Sequence, residues 1–267
     1  MLRKGFLSLA AAAGLAMSGP ALAVDYSKAG GLDITEEENL GPGRDYTVIA
    51  PAGLKGGEGL PVIVWGNATG SPTGLYKPIL EHLASHGFIV VAGDDSFTGD
   101  GDSMIEGLDW ILDDSEYADS IDSSAVGITG HSQGGASAVV VAATDSRIKA
   151  LVAIQPDCNF WVDCDDAEDI NAATLAIAGS SDILVSSRSV KRKVYDEIGR
   201  DIPAVFAERR SMGHMGWFSD QVDTYGDIIG SWFGAHLKGD SAALDDFASN
   251  GKLAGDREWS EFESKGL

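Results

Sequence analysis

The sequence predicts an α/β fold: a mostly parallel central sheet with helices on both faces and no cap domain. Three observations carry that expectation. Short runs of β-branched and aliphatic residues recur along the chain, stretches of helical period alternate with them, and no repeat or low-complexity linker interrupts the alternation. With 267 residues, 44% of them hydrophobic, the chain can bury one large core. A single domain over residues 24–267 is expected, after a signal peptide over residues 1–23.

That first segment has a basic start at Arg3 and Lys4, an apolar run from Gly5 to Met17, and the small-residue pattern Pro20-Ala21-Leu22-Ala23, so cleavage is expected after Ala23. The run is too short and too rich in Ala for a membrane span, and no later segment is long and apolar enough for one. A secreted or periplasmic protein with no membrane anchor is the expectation.

Within the domain, Tyr46–Ile49 and Pro61–Trp65 read as strands. Leu75 to His86 carries Leu75, Ile79, Leu80 and Leu83 at helical spacing and is stopped by Gly87. Phe88–Ala92 is a buried strand, Ser103–Asp113 a helix, Ala125–Thr129 a strand, Gln133–Ala143 a helix and Lys149–Ile154 a strand. Thr174–Ala178 and Ala204–Ala207 complete the strands, and Val190–Ile198 and Asp227–Leu237 are the late helices. No insertion between strands is long enough for a cap, so an open cleft is expected.

Asp and Glu number 41 against 19 Lys and Arg, a formal charge of −22 that repels phosphate backbones and argues against nucleic acid as a partner. Two acidic loops, Asp163, Asp165, Asp166, Glu168 and Asp169 in one and Asp94, Asp95, Asp100 and Asp102 in the other, offer oxygen ligands of the kind calcium takes. Neither has EF-hand spacing. A solvated acidic face is the expected reading, and no metal or cofactor is expected. A monomer is expected. The two cysteines, Cys158 and Cys164, stand close together, and export would bring them into an oxidising space, which puts a local disulfide ahead of a metal pair or a nucleophilic thiol.

Gly130-His131-Ser132-Gln133-Gly134 fits G-x-S-x-G, a weak signal alone in a chain with 34 glycines. Its context strengthens it, because the motif lies between a predicted strand and a predicted helix, the setting of a strained turn that exposes a nucleophilic serine. A hydroxyl needs a base, and the base needs a carboxylate to fix its tautomer. Of five histidines, His214 lies in a Gly-flanked loop beyond the last predicted strand, and the chain order serine, acid, histidine suits it. Asp182, in the loop after Thr174–Ala178, is the favoured acid, and Asp157, after the preceding strand, is its rival. Backbone N–H groups of Gln133 and Asn67 are the expected oxyanion donors. Asn67-Ala68-Thr69 also matches a glycosylation sequon.

From about Tyr46 to Leu237 the chain resembles the poly(ethylene terephthalate) hydrolase and cutinase-like branch of the α/β-hydrolases, close also to chlorophyllase and dienelactone-hydrolase-like proteins. Val62 to Asn67, His82 to Val90, Gly130 to Gly135, Ala178 to Asp182 and Gly213-His214 carry the resemblance. It implies an exported serine hydrolase of carboxylic esters, small or polymeric, with Ser132, Asp182 and His214 as triad and Asn67 and Gln133 as oxyanion donors. His131, Trp161 and Trp217 are the candidate substrate-binding residues, with Phe160 an alternative to Trp161. Two positions depart from the family pattern. Gln133 stands where a Met commonly follows the serine and would make the cleft floor more polar, and Gln155-Pro156-Asp157 lacks the family's tryptophan wall. A non-catalytic binding module on a hydrolase scaffold and a lipase are the competing functions. A lipase would need an apolar lid, and none is visible between Gln155 and Thr174.

Overall fold

The computed structural model describes residues 24–219 and 221–267; the signal-peptide reading of residues 1–23 lies outside them. The strands are β1 (Ile34–Leu40), β2 (Tyr46–Pro51), β3 (Leu60–Gly66), β4 (Ile89–Gly93), β5 (Ile121–His131), β6 (Ile148–Ile154), β7 (Ala173–Gly179), β8 (Ala204–Arg209) and β9 (Trp259–Lys265). They form one sheet in the order β1-β2-β4-β3-β5-β6-β7-β8-β9. Pairing is parallel from β4 through β8, and antiparallel at the margins, where β1 meets β2, β2 meets β4, and β8 meets β9. This is the mostly parallel sheet expected from the alternation of strand and helix signals.

The helices are α1 (Lys77–Ser85), α2 (Asp102–Asp113), α3 (Gln133–Thr144), α4 (Ser187–Val190), α5 (Asp227–Lys238) and α6 (Ser241–Asp245). The predicted helix Val190–Ile198 is instead the short α4 followed by a π-turn at Lys191–Tyr195. Side chains of a strand alternate between faces, so each central strand feeds two cores. Val62, Val64, Val126 and Ile128 pack with residues of α2 and α3 on one side of the sheet. Ile63 and Trp65 pack with Ile79, Leu83, Ile229 and Trp232 of α1 and α5 on the other. Each large side chain fully withdrawn from water, such as Trp65, Phe88 or Phe233, contributes about 2 kcal/mol of transfer free energy.

Where β3, β5 and α3 meet, the chain closes to backbone contact. A Cβ on Gly130 would lie 2.4 Å from the Gly134 carbonyl oxygen, and one on Gly134 would lie 2.2 Å from that of Gly66. Only hydrogens fit there. That closeness sets the carboxyl ends of β3 and β5 side by side and aims the start of α3 at the same edge of the sheet.

Beyond β6 the chain forms a loop closed by the Cys158–Cys164 disulfide. Closing so short a loop contributes about 2 kcal/mol in the chain-entropy picture. Both sulfurs are buried, while Phe160 and Trp161 between them stand out into solvent.

Candidate active site

Ser132 sits between the last residue of β5 and the first of α3 with φ +56°, a left-handed conformation that a non-glycine residue adopts at a cost. Backbone hydrogen bonds hold it there: its N–H donates to Ile154 O at 3.0 Å, and its carbonyl accepts from Asp157 N at 3.0 Å. The turn lifts the hydroxyl to the carboxyl edge of the sheet, where the loops after β7 and β8 converge.

His214 comes from the loop after β8 and Asp182 from the loop after β7. Ser132 Oγ lies 2.9 Å from His214 Nε2, and His214 Nδ1 lies 2.7 Å from Asp182 Oδ2. A carboxylate only accepts, so Nδ1 carries the proton and Nε2 is left to take one from the hydroxyl. The Asp182 Oδ1 oxygen accepts the N–H groups of Leu184 and Val185, each at 2.9 Å. Burial pushes the Asp182 carboxyl up, but the His214 hydrogen bond and these two N–H donors outweigh it and hold it below its ordinary value. Asp157 lines the same cleft but is hydrogen-bonded through its backbone to Ser132, so Asp182 is the carboxylate on the histidine.

The cleft over Ser132 has a volume of about 400 Å³. Ala68, Thr69, Trp161, Leu184, Met215 and Phe218 line it together with His131 and His214. Among its lining residues Phe160, Trp161, Leu184 and Met215 are large apolar side chains exposed to solvent. Phe97 meets Trp161 edge to face at 5.7 Å, and Trp161 meets Phe160 at 5.2 Å. Leu184, Met215 and Phe218, and Phe97 against Trp161, carry no motif, and only the fold brings them together at the cleft.

Other predicted residues are placed differently from expectation. Trp217 is fully buried and stacks behind His131 at 5.8 Å, so it supports the site from within rather than walling the cleft. The Gln133 side chain does not form the cleft floor: it turns away and accepts the Thr98 N–H at 3.1 Å. Its backbone N–H belongs to the first turn of α3, where amides have no intrahelical partner. The Asn67 side chain is also withdrawn from solvent, its amide donating to Thr73 Oγ1 at 2.9 Å, Gly93 O at 2.8 Å and Asp95 O at 2.9 Å. That leaves the sequon asparagine no access to a glycosylating enzyme in the folded chain. Among the described residues, no group of three or more His, Cys, Asp or Glu side chains is arranged to hold a metal ion.

His131, directly before the serine, is wholly buried and its ring lies 4.9 Å from that of His214. Burial, reinforced by His214, pushes its pKa down to about 3. An unfolded chain binds a proton there below about pH 6.5 and the folded chain does not until about pH 3, so acid favours unfolding across that window. Stability should fall by about 1 kcal/mol per pH unit from this residue alone. Urea midpoints measured downward from neutrality should show that decline, and His131→Gln should flatten it; an unchanged slope in the variant would place the acid sensitivity elsewhere.

A family model described as PET hydrolase-like matches residues 51–264, most of the chain. The chain belongs to this PET hydrolase-like family. Relatives of this PET hydrolase-like chain include cutinase est1 of Thermobifida alba, 28% identical over 141 residues that cover 50% of this chain and 46% of the relative. Cutinase 2 of Thermobifida cellulosilytica is 27% identical over 165 residues, covering 59% of this chain and 60% of the relative. Cutinase cut1 of Thermobifida fusca is 27% identical over the same length, covering 59% of this chain and 49% of the relative. The match thus spans about half the length of these curated relatives. The family is one of α/β-hydrolases, in agreement with the sheet order.

Proposed function

We propose that the chain is an exported carboxylic ester hydrolase that works through an acyl-enzyme on Ser132. The observation that carries this reading is the continuous hydrogen-bonded array from the strained Ser132 through His214 to Asp182. Ser132 Oγ attacks the ester carbonyl while its proton passes to His214 Nε2, and the carbonyl π pair moves onto oxygen. The N–H groups of Gln133 and Asn67 receive that oxyanion. Collapse of the intermediate breaks the bond to the alcohol, which leaves with the proton from His214. Water then repeats the sequence against the acyl-enzyme, with His214 again as base, and releases the acid. Asp182 holds the tautomer and offsets the imidazolium charge as it forms.

The apolar rim supports substrates with an extended apolar or aromatic portion, polyesters among them. The cutinase names of the relatives point the same way. Phe160 and Trp161 offer faces for stacking, and His131 packs beneath the cleft. The single-domain monomer, with Val24 as its first mature residue, completes the proposal.

A fluorophosphonate probe tests it, since such probes phosphonylate only a serine activated by a base. The mature protein should take up one equivalent, and peptide mapping should put it on Ser132. A chromogenic ester series from acetyl to long acyl chains, followed by polyester film, then ranks the cleft. No labelling, or labelling at another residue, would overturn the assignment.

A further inference from the structure

Gln155 directly follows β6, is fully buried, and has φ +45°, in the left-handed region. Glutamine takes that conformation only where its surroundings impose it. Its own N–H donates to Ile177 O at 2.8 Å, and its side chain runs to the acid, with Nε2 2.8 Å from Asp182 Oδ2. This is the same oxygen that faces His214 Nδ1. Room for the amide is left by Gly179 at the end of β7, since a Cβ there would come within 2.9 Å of Gln155 Nε2. A carboxylate has nothing to donate, so the amide must present its NH2 to Asp182 and turn Oε1 the other way.

His131, directly before Ser132, is held by a partner of its own. Tyr76 Oη accepts the Ala68 N–H at 3.2 Å, so its own proton is free for His131 Nδ1, 3.1 Å away. A neutral imidazole with an accepting Nδ1 carries its proton on Nε2. Nε2 of His131 and Oε1 of Gln155 are both buried and neither has a hydrogen-bond partner among the described residues.

We propose that Gln155 is a positioning residue for Asp182, its backbone pinned to Ile177 and its amide admitted by Gly179 so that it donates to the oxygen His214 uses. The inference rests on the proposed roles of Ser132, His214 and Asp182. Gln155 does not touch substrate. It fixes the rotation of the carboxylate and shares its charge, so that Asp182 orients His214 without holding the imidazolium too tightly to give its proton to the alcohol. The titratable groups around the pair are His131, whose ring lies tilted beside that of His214, Asp157 in the cleft wall, Tyr225 behind Trp217, and Arg209, whose charge acts on Tyr225. None of them supplies a second hydrogen bond to Oδ2.

Gln155→Met keeps the bulk and removes the donor; Gln155→Glu keeps the shape and puts a second carboxyl beside Asp182. On a short-chain chromogenic ester, Gln155→Met should lose about tenfold in kcat with KM within about twofold. An unshared carboxylate favours the imidazolium, so the acid limb of the kcat/KM profile should move to higher pH by about half a unit. In Gln155→Glu it should move further. A residue that merely filled space would leave the limb where it is, and an unmoved limb in a folded variant overturns the proposal. If Gln155→Met does not fold, the near-isosteric Gln155→Glu decides alone. Failure of the underlying reading is separable: wild type would then not be phosphonylated on Ser132. Labelled Ser132 with unmoved limbs removes only the role of Gln155.

Discussion

Ser132→Ala is expected to lower ester turnover by about 10⁵-fold or more while the protein stays folded. The loss is that large because, on the proposed mechanism, the substitution removes the oxygen on which the acyl-enzyme forms. The oxyanion donors and the cleft remain and should support a residual rate about 10³-fold above water. Stability should change little, since alanine bears the left-handed turn no worse than serine does and the backbone bonds to Ile154 and Asp157 do not involve the hydroxyl. The check is kcat on a short-chain ester beside the thermal midpoint of the same preparation. Turnover within about tenfold of wild type would mean that another residue is the nucleophile.

Gly134→Ala should produce the other large effect, on stability. Helix propensity alone favours alanine over glycine by about 1 kcal/mol, and Gly134 is a residue of α3. Packing reverses that sign. The new methyl would lie 2.2 Å from Gly66 O and 2.6 Å from Asn67 O, backbone atoms of the central strand and its loop that cannot rotate aside. A net loss of about 3 kcal/mol or more is expected, because β3 and α3 must part to admit it. Gly74→Ala is the control, since nothing lies within 4 Å of a Cβ there. Urea unfolding of the pair decides the matter: a Gly134→Ala midpoint equal to that of the control would show that the elbow has slack.

What could be read in the sequence follows how each signal is written. Buried strands such as Val62–Trp65 and Leu151–Ile154 are continuous apolar runs, and parallel strands buried on both faces are the easiest to recognise. The edge strands were not legible. β1 reads Ile-Thr-Glu-Glu-Glu-Asn-Leu, too charged to resemble a strand, and such charge is what protects an exposed edge from pairing with another chain. β9 has the same character. Ser132, His214 and Asp182 stood out because motif, loop position and chain order each narrowed the choice, and the family resemblance agreed. Gln155 and Tyr76 had no such mark. Tyr76 meets His131 across 55 positions, and Gln155 meets Asp182 across 27, so their roles exist only once the sheet has formed. Trp217 shows the opposite limit: closeness in sequence to His214 suggested a wall of the cleft, whereas its ring faces the core under His131.

The antiparallel strand β9 has a bearing on the order in which the site matures. The outer edge of β8 is paired by β9, Arg209 lies over the Trp259 ring at 5.3 Å, and Arg210 N–H donates to Glu258 O at 2.8 Å. These contacts clamp the root of the loop that carries His214. A chain made from its amino end can assemble β3, β5 and α3 early, with Ser132 already turned outward, while the histidine loop is tied only on its β7 side until β9 has been synthesised and has folded back. Ser132 is therefore in place before the His214 loop is clamped on both sides. On the proposed roles, activation of Ser132 then follows closure of the sheet at its carboxyl-terminal strand.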